Sequence, residues 1–345
     1  MDRRRTSAAV SAGLLTLLAT SGVAAAAPSD GRTIYGVTSN GNRLVRFPAN
    51  NPAAAAAVVL ANQGSIVGLT TTDERVVGID FRPSTGVLYA LTIGQVAGTG
   101  NSQTGTGRLY TIDKATAVAT LVSTLLPRLS GAYYDIGFNP VSDALRIVSS
   151  NGQNLRVPNA NGFSTTIADT ALTYPSGDRN GGQPPKVAGI DYTPANGNAT
   201  TLYDIDYVVD SLSVQGSPGG TPNSPNGGVL TTVGSSGLGV NVNNLLGFDF
   251  EVDGTGYATA QTLDPDTGGS SPGTTLFTVN TASGVLTKIG DVRGDLLDSI
   301  AIDTATPNVN PVLPEFGVAA LAPVAALGLA GSVVVLRRRR PALRD

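Results

Sequence analysis

The stretch GIDFRPSTGVLYALT, at residues 78–92, returns in related form as GIDYTPANGNATTLYDID at residues 189–206. The first part of this stretch occurs five times, at intervals of 57, 54, 58 and 52 residues. It consists of an apolar residue, a small or acidic residue and usually an aromatic residue. The five copies lie at residues 79–81, 136–138, 190–192, 248–250 and 300–302. A repeat of this length indicates a fold built from similar units.

Each unit contains further short phrases that are typical of β-strands. The second phrase begins at Ile34, Leu88, Leu145, Leu202 and Gly256, in forms such as IYGVT and LYALT. Later phrases include LFTVN from Leu276 and the pair GVLTTVG and GVLTKIG from Gly228 and Gly284. Because Gly, Pro, Asn and Asp separate these apolar runs, each unit is predicted to be four antiparallel strands.

Four strands per unit and a period near 50 residues predict an all-β fold, a β-propeller with five four-stranded blades. Six blades are the alternative. The phrase at Ile34 has no first strand before it, and the phrase at Ile300 has no second strand after it. We therefore expect the strand around Ile300 to complete the N-terminal blade and close the ring, which would hide both sheet edges.

The composition excludes several classes of site. The 345 residues include no Cys and no His, which excludes a disulfide framework, an ordinary zinc site and any Ser-His or Cys-His mechanism. Without the charged residues of the two ends, 14 basic and 22 acidic residues remain, a net charge near −8. Nucleic acid is not an expected partner, because binding phosphates requires a basic surface.

The N-terminus has the features of a secretory signal peptide. Three arginines at positions 3–5 precede a short apolar run and several alanines, and we predict a signal peptide over residues 1–26, cleaved after Ala26. Residues 318–336 are apolar and long enough to cross a bilayer, and four arginines follow at 337–340. The positive-inside rule then predicts export, with the body outside the cell and the tail, 337–345, in the cytoplasm.

A linker, residues 304–317, contains the pentapeptide LPEFG. The linker, the apolar segment and the basic tail together resemble the sorting signals of sortases and of exosortase-type enzymes. Phe316 stands where a sortase signal has Thr, which favours a plain membrane anchor over covalent transfer to the wall. The residues of this motif are Leu313, Pro314, Glu315, Phe316 and Gly317.

The body, residues 32–303, resembles the bacterial domain of unknown function 4394, secreted proteins with phrases like GIDFRPSTGVLYALT and GVLTTVG. The resemblance implies a propeller-like fold. It implies no activity and supplies no catalytic residues.

A propeller places its connections on two faces. The turns between first and second strands, such as RPSTG from Arg82, are tight, whereas those between second and third strands, such as residues 93–107, are long and glycine-rich. Long loops on a rigid scaffold often carry function, so we expect a ligand, a glycan or protein of the cell envelope, on the long-loop face. Residues expected to surround its mouth are Asp73, Glu74, Arg75, Tyr133, Tyr134, Asp135, Asp178, Arg179, Lys186, Asn243 and Asn244.

Three acids occupy one position in three of the inner strands: Asp80, Asp191 and Asp249. Inner strands surround one axis, so these carboxylates can converge, and convergent acids can hydrolyse glycosides. The competing interpretation is that each acid forms a hydrogen bond within its own blade. A binding or structural module at the cell surface is thus the preferred function, and an extracellular carbohydrate-active hydrolase is the alternative.

Calcium is the one cofactor that the sequence suggests. Asp264 and Asp266 alternate before Gly268, like a fragment of a calcium-binding loop, but the third acid and the closing Glu of such a loop are missing. Exposed acids in a turn explain the same pattern without a metal.

Overall fold

The computed structural model describes residues 32–57, 63–264, 266–294 and 296–303. They form five antiparallel sheets, four of four strands and one with a fifth short strand, which are the five blades of a propeller. The signal peptide, the linker, the apolar segment and the tail predicted above lie outside the described residues. Within the described residues, no helix is long and apolar enough to cross a membrane.

The strands follow one another in chain order, apart from the closing strand. Blade 1 contains β1 (Thr33–Thr38), β2 (Leu44–Pro48) and β3 (Ala56–Ala57). Blade 2 contains β4 (Arg75–Arg82), β5 (Val87–Ala97), β6 (Thr104–Ile112), β7 (Ala119–Thr124) and the short β8 (Leu129–Ser130), which pairs with β6. Blade 3 contains β9 (Tyr134–Asn139), β10 (Ala144–Ser149), β11 (Asn154–Val157) and β12 (Ile167–Ala168).

The last two blades have the same arrangement. Blade 4 contains β13 (Val187–Tyr192), β14 (Leu202–Asp206), β15 (Ser211–Gln215) and β16 (Leu230–Thr232). Blade 5 contains β17 (Asn241–Phe250), β18 (Gly256–Leu263), β19 (Thr274–Val279) and β20 (Leu286–Val292). The final strand, β21 (Leu297–Ile302), pairs with β1 in the order β21-β1-β2-β3.

The predictions of five blades and of closure by the C-terminal strand are therefore confirmed. Strand β21 is the inner strand of blade 1, with Gly36 opposite Ile300. Because every strand of the five sheets lies within residues 33–302, the ring closes without any other segment.

Apolar side chains of neighbouring blades pack against each other around the ring. Five buried clusters are present among the described residues, each between two adjacent blades. Between blades 1 and 2, for example, Tyr35 contacts Phe81 edge to face, with ring centroids 5.6 Å apart. Burial of these faces drives the blades together, since removing apolar surface from water is the main favourable term in folding.

Candidate functional site

The inner strands of adjacent blades are joined by side chains that bind the backbone of the next blade. In three blades an aspartate does this: Asp80 Oδ2 accepts the N–H of Phe138 at 2.6 Å, Asp191 Oδ2 accepts that of Phe250 at 2.9 Å, and Asp249 Oδ2 accepts that of Ile302. Each of these three bonds leads to the following blade. Asp249 also forms a bond of the kind that the competing interpretation expected, since its Oδ1 accepts the N–H of Phe250 in its own blade at 2.6 Å.

The other two blades use a side chain two residues earlier in the strand. Asp135 Oδ2 accepts the N–H of Ile190 at 2.9 Å, and Ser299 Oγ accepts that of Ile79 at 3.0 Å. In these two blades, Gly137 or Ala301 stands at the position that holds the repeated aspartate in the other three. Each inner strand therefore carries one such side chain, at one of two levels, and all five interfaces between blades are bridged.

Glycine at the unused level reflects the close approach of the inner strands. A Cβ atom on Gly137 would lie 3.0 Å from Asp191 Oδ1, and one on Gly247 would lie 2.6 Å from the backbone N of Ile300. At the unused level, the narrow centre of the ring therefore holds glycine in four blades and the single methyl group of Ala301 in the fifth.

The three repeated aspartates converge on the axis. One carboxylate oxygen from each of Asp80, Asp191 and Asp249 lies within 4.8 Å of the other two, and the residues are 6%, 6% and 4% exposed. Convergence, which the common position in the strands suggested, is therefore observed together with the bonds between blades.

Burial and mutual repulsion make these acids hold their protons. Burial, and then the charge of Asp249, raises the pKa of Asp80 well above its usual value. Burial, then the charge of Asp249 and then that of Asp80, likewise raises the pKa of Asp191. Burial raises the pKa of Asp249 to about 6. The site therefore favours protonated carboxyl groups, and a bound cation could replace those protons.

A cavity of about 340 Å³ has the three aspartates on its floor. We call it the axial cavity. Its walls are mostly apolar. Phe81, Phe138 and Phe250 come from inner strands, and Pro83, Pro140 and Pro194 come from the tight turns between first and second strands. Among the residues that the structure describes, no lysine or arginine lines it. An apolar pocket with a few convergent polar groups is the usual form of a small-molecule site.

The axial cavity opens on the tight-turn face, opposite to the expected ligand face. On the long-loop face, Arg75, Tyr133, Tyr134, Asn244 and Asp298 surround a space of only about 10 Å³, roughly one water molecule. Arg75 Nη1 lies 3.9 Å from Asp298 Oδ2 there, and burial raises the pKa of Asp298 to about 7.

The remaining residues predicted for that mouth do not form one site. Asp135 and Glu74 are buried, Asp135 on the axis as described above and Glu74 in an ion pair with Arg108 at 2.6 Å. Asp73 accepts the N–H of Gln95 at 2.6 Å, and Asp178 accepts that of Thr232 at 2.7 Å. The others are Arg179, which is exposed, and Lys186 and Asn243, which are half-buried.

The calcium-like turn is occupied by its own backbone. Asp264 Oδ1 accepts the N–H groups of Asp266 and Thr267 at 2.9 and 2.8 Å, and these bonds lower the pKa of the exposed Asp264. Within the described part of the chain, the one group of three acids with a spacing suited to a metal ion is the axial set. Three oxygens could serve as part of the six to eight that calcium takes.

A signal for the walls of the cavity was present in the sequence. The aromatic residue directly after each repeated position is followed two residues later by proline in blades 2, 3 and 4, at Pro83, Pro140 and Pro194. The repeat of proline, read together with the acids, marks the rim of the axial cavity.

A second cavity, of about 320 Å³, lies on the same face between blades 3 and 4. We call it the Arg146 cavity. Tyr192 lines both cavities, and Arg146 Nε is 3.5 Å from its hydroxyl oxygen. The sequence offered no signal for it, since Arg146 and Arg156 lie in strands that read as ordinary.

The model of one protein family, Domain of unknown function (DUF4394), matches residues 28–301. The chain belongs to this family. The family is described as a domain of unknown function, so membership assigns no reaction or ligand. Among curated proteins, none matches this chain.

Solved structures show similarity at low identity. A protein of unknown function from Bacteroides thetaiotaomicron is 15% identical, with a TM-score of 0.40, over 79% of this chain and 62% of its own. The Dos1 propeller is 8% identical, with a TM-score of 0.38, over 74% and 58%. The major Malassezia sympodialis allergen Mala s 1 is 13% identical, with a TM-score of 0.39, over 74% and 77%. The matched part of this chain thus spans less than two thirds of the first two.

Proposed function

We propose that this protein is an exported binding module, held at the outer side of the cell membrane by residues 318–336, and that its axial cavity binds a basic group of an envelope partner. The proposal rests on one observation. Three carboxylates form the floor of an apolar cavity that no basic residue of the described chain lines. A ligand that brings a positive charge would stabilise the ionised carboxylates, because opposite charges attract strongly where water is excluded.

The walls favour an organic cation over a hydrated metal ion. Phe81, Phe138 and Phe250 line the space next to the carboxylates, and aromatic rings attract ammonium groups while their apolar area contacts a carbon chain. Calcium would require several further oxygen ligands. The hydroxyl of Ser84, at the rim, already donates to Asp143 at 3.0 Å. A lysine or arginine side chain of a partner protein has the required charge and stem.

The titration test uses the propeller alone, residues 28–312, because its ring closes within residues 33–302. Isothermal titration in EDTA compares n-hexylammonium with hexan-1-ol, a neutral molecule of the same chain length. We expect the ammonium to bind and the alcohol to bind at least about tenfold more weakly, as for charge-assisted contacts. Equal affinity, or no binding of the ammonium, would refute the proposal.

Two variants test whether the ammonium binds in the axial cavity. Asp80→Asn keeps an oxygen for the N–H of Phe138 but cannot ionise beside the ammonium, and should weaken ammonium binding about tenfold. Asp266→Asn makes the same substitution in an exposed turn and is the matched control. If both variants bind as the wild type does, the ligand lies elsewhere. Added calcium chloride tests the metal directly, since a bound ion would compete with the ammonium.

Location has its own test. A tag placed before residue 32 of the mature chain should be digested by protease added to intact cells, and a tag after Asp345 should be protected. Protection of both tags would argue against export. Fractionation of a chain lacking residues 313–345 should move the protein from the membrane to the medium.

A carbohydrate-active hydrolase is the second candidate, favoured by the convergence of Asp80, Asp191 and Asp249 and by the pKa of Asp249, about 6, near that of a general acid. The bonds from these acids to the next blade count against it, because they orient the carboxylates for structural use. Incubation with a panel of 4-nitrophenyl glycosides tests it. Release of nitrophenol that Asp249→Asn abolishes would establish hydrolysis, and its absence across the panel would remove this candidate.

A further inference from the structure

The Arg146 cavity and the axial cavity are neighbours of opposite charge on one face. The axial cavity has three acids on its floor and no basic residue among the described residues that line it. Two arginines, Arg146 and Arg156, line the Arg146 cavity, and no acid among the described residues does. Tyr192 belongs to both linings and separates them.

The positive charge of the Arg146 cavity is only partly neutralised. Arg146 Nη1 lies 2.7 Å from Asp169 Oδ2, and Arg156 Nε lies 3.1 Å from the same oxygen, so two guanidinium groups share one carboxylate. Burial alone would lower the pKa of Arg146, but Tyr192 and Asp169 outweigh it and the net direction is upward. The group therefore stays charged although its side chain is only 2% exposed.

The buried guanidinium is held rigidly. Arg146 donates to Asn154 at 2.8 Å and to Asn226 at 2.6 Å, besides Asp169. Arg156, whose side chain is 29% exposed, lies in the wall. Side chains of Asn139, Ser142 and Ser224 also line the cavity and offer further hydrogen-bond donors. A rigid, net positive cavity with several donors has the chemistry of a carboxylate or phosphate site.

We propose that the two cavities together bind one dipolar ligand, with an ammonium group in the axial cavity and a carboxylate in the Arg146 cavity, on either side of Tyr192. The inference rests on the proposed function, because it takes the axial cavity as the site of the positive group. It adds the class of the ligand: a compound that carries an amine and a carboxylate several carbons apart, such as an ω-amino acid, free lysine or a peptide with a C-terminal lysine.

The test extends the titration to three probes of one length: n-hexylammonium, hexanoate and 6-aminohexanoate, with 4-aminobutyrate and 8-aminooctanoate to vary the spacing. We expect the best amino acid of this series to bind the wild-type propeller about tenfold more tightly than n-hexylammonium, since it adds a charge-assisted contact. Arg156→Gln should reduce its affinity to that of n-hexylammonium and leave n-hexylammonium unchanged. Arg128→Gln, an exposed arginine on the long-loop face, is the matched control.

The outcomes separate the two proposals. If n-hexylammonium binds but no amino acid binds more tightly, the dipolar ligand is refuted and the proposed function stands. Failure of n-hexylammonium and of every amino acid refutes both. If Arg156→Gln weakens n-hexylammonium as well, the two cavities are not separate subsites. Arg146→Lys, which keeps the charge but not the planar donors, provides a second variant and should also remove the preference for the amino acid.

Discussion

Replacement of Asp249 by Asn or Ala separates the two roles of this residue. Its Oδ2 accepts the N–H of Ile302 in the closing strand, and its carboxyl lies against that of Asp191. Asn keeps an acceptor for Ile302 and can donate an N–H to Asp191, but it cannot ionise. Ala removes both the acceptor and the charge. The pair therefore distinguishes the hydrogen bond from the buried carboxyl.

The pKa of Asp249 sets the expected size and direction. Burial raises that pKa from 3.8 to about 6, so the folded state holds this proton more tightly than the unfolded state does. Its contribution to stability is complete below the unfolded pKa and is lost as the pH rises through about 6, a loss of about 3 kcal/mol. Asn does not titrate, so the variant lacks this one contribution, while the other buried acids titrate in both proteins.

At pH about 8, Asp249→Asn should therefore be up to about 3 kcal/mol more stable than the wild type, and at pH about 4 the two should match. Asp249→Ala should be about 1–3 kcal/mol less stable than the wild type at pH about 4, because the buried N–H of Ile302 loses its acceptor.

Urea unfolding of residues 28–312 in EDTA, at both pH values, measures these differences, with Asp266→Asn as the exposed control. An Asn variant less stable than the wild type at pH about 8 would show that ionised Asp249 stabilises the ring, contrary to the reasoning from burial.

Three further predictions follow from the ring and its cavity. Ser299→Ala should lower the free energy of unfolding by about 1–3 kcal/mol, because the buried N–H of Ile79 loses its acceptor. Ser84→Ala at the exposed rim should lower it by less than about 1 kcal/mol, and equal effects of the two variants in urea unfolding would show that the bond from Ser299 does not stabilise the ring. Gly137→Ala should lower the free energy of unfolding by about 1–3 kcal/mol, since the Cβ of the alanine would lie 3.0 Å from Asp191 Oδ1. A melting temperature of the variant at or above that of the wild type would show that the inner strands can move apart. The affinity for n-hexylammonium should rise between about pH 5 and about pH 8, because the cation favours the ionised acids. Titration in buffers of different ionisation enthalpy should detect the release of protons on binding, and an affinity independent of pH would mean that these acids do not contact the cation.

The strands and the closure could be predicted because they depend on patterns local to each repeat. Apolar runs separated by glycine and proline set the four strands, and the unmatched phrases at Ile34 and Ile300 showed which two ends meet. The common position of Asp80, Asp191 and Asp249 also placed them at one depth on the axis, where the structure shows them together.

The partner of each acid could not be predicted, because it lies in another blade. The sequence distance from Asp80 to Phe138 is that of one repeat, and a single repeat gives no sign of which backbone N–H its aspartate will meet. The roles of Asp135 and Ser299 are harder still to predict, since each forms the bond between blades from a position two residues before the usual one.

Loop lengths also could not predict the face of the propeller on which the axial cavity opens. Long loops indicated one face, but Tyr133, Tyr134 and Asn244 fill the space there, leaving about 10 Å³. On the other face, short turns with proline line a cavity of about 340 Å³. Cavity volume depends on how side chains from five blades pack, and loop length alone does not report it.

A crystal structure of residues 28–312 grown with n-hexylammonium in EDTA would show directly whether the axial cavity binds a cation. We expect the ammonium nitrogen within hydrogen-bond distance of Asp80, Asp191 or Asp249, with its carbon chain along Phe81, Phe138 and Phe250. Ammonium density elsewhere on the propeller, with an empty axial cavity at a concentration that saturates binding in solution, would contradict this expectation.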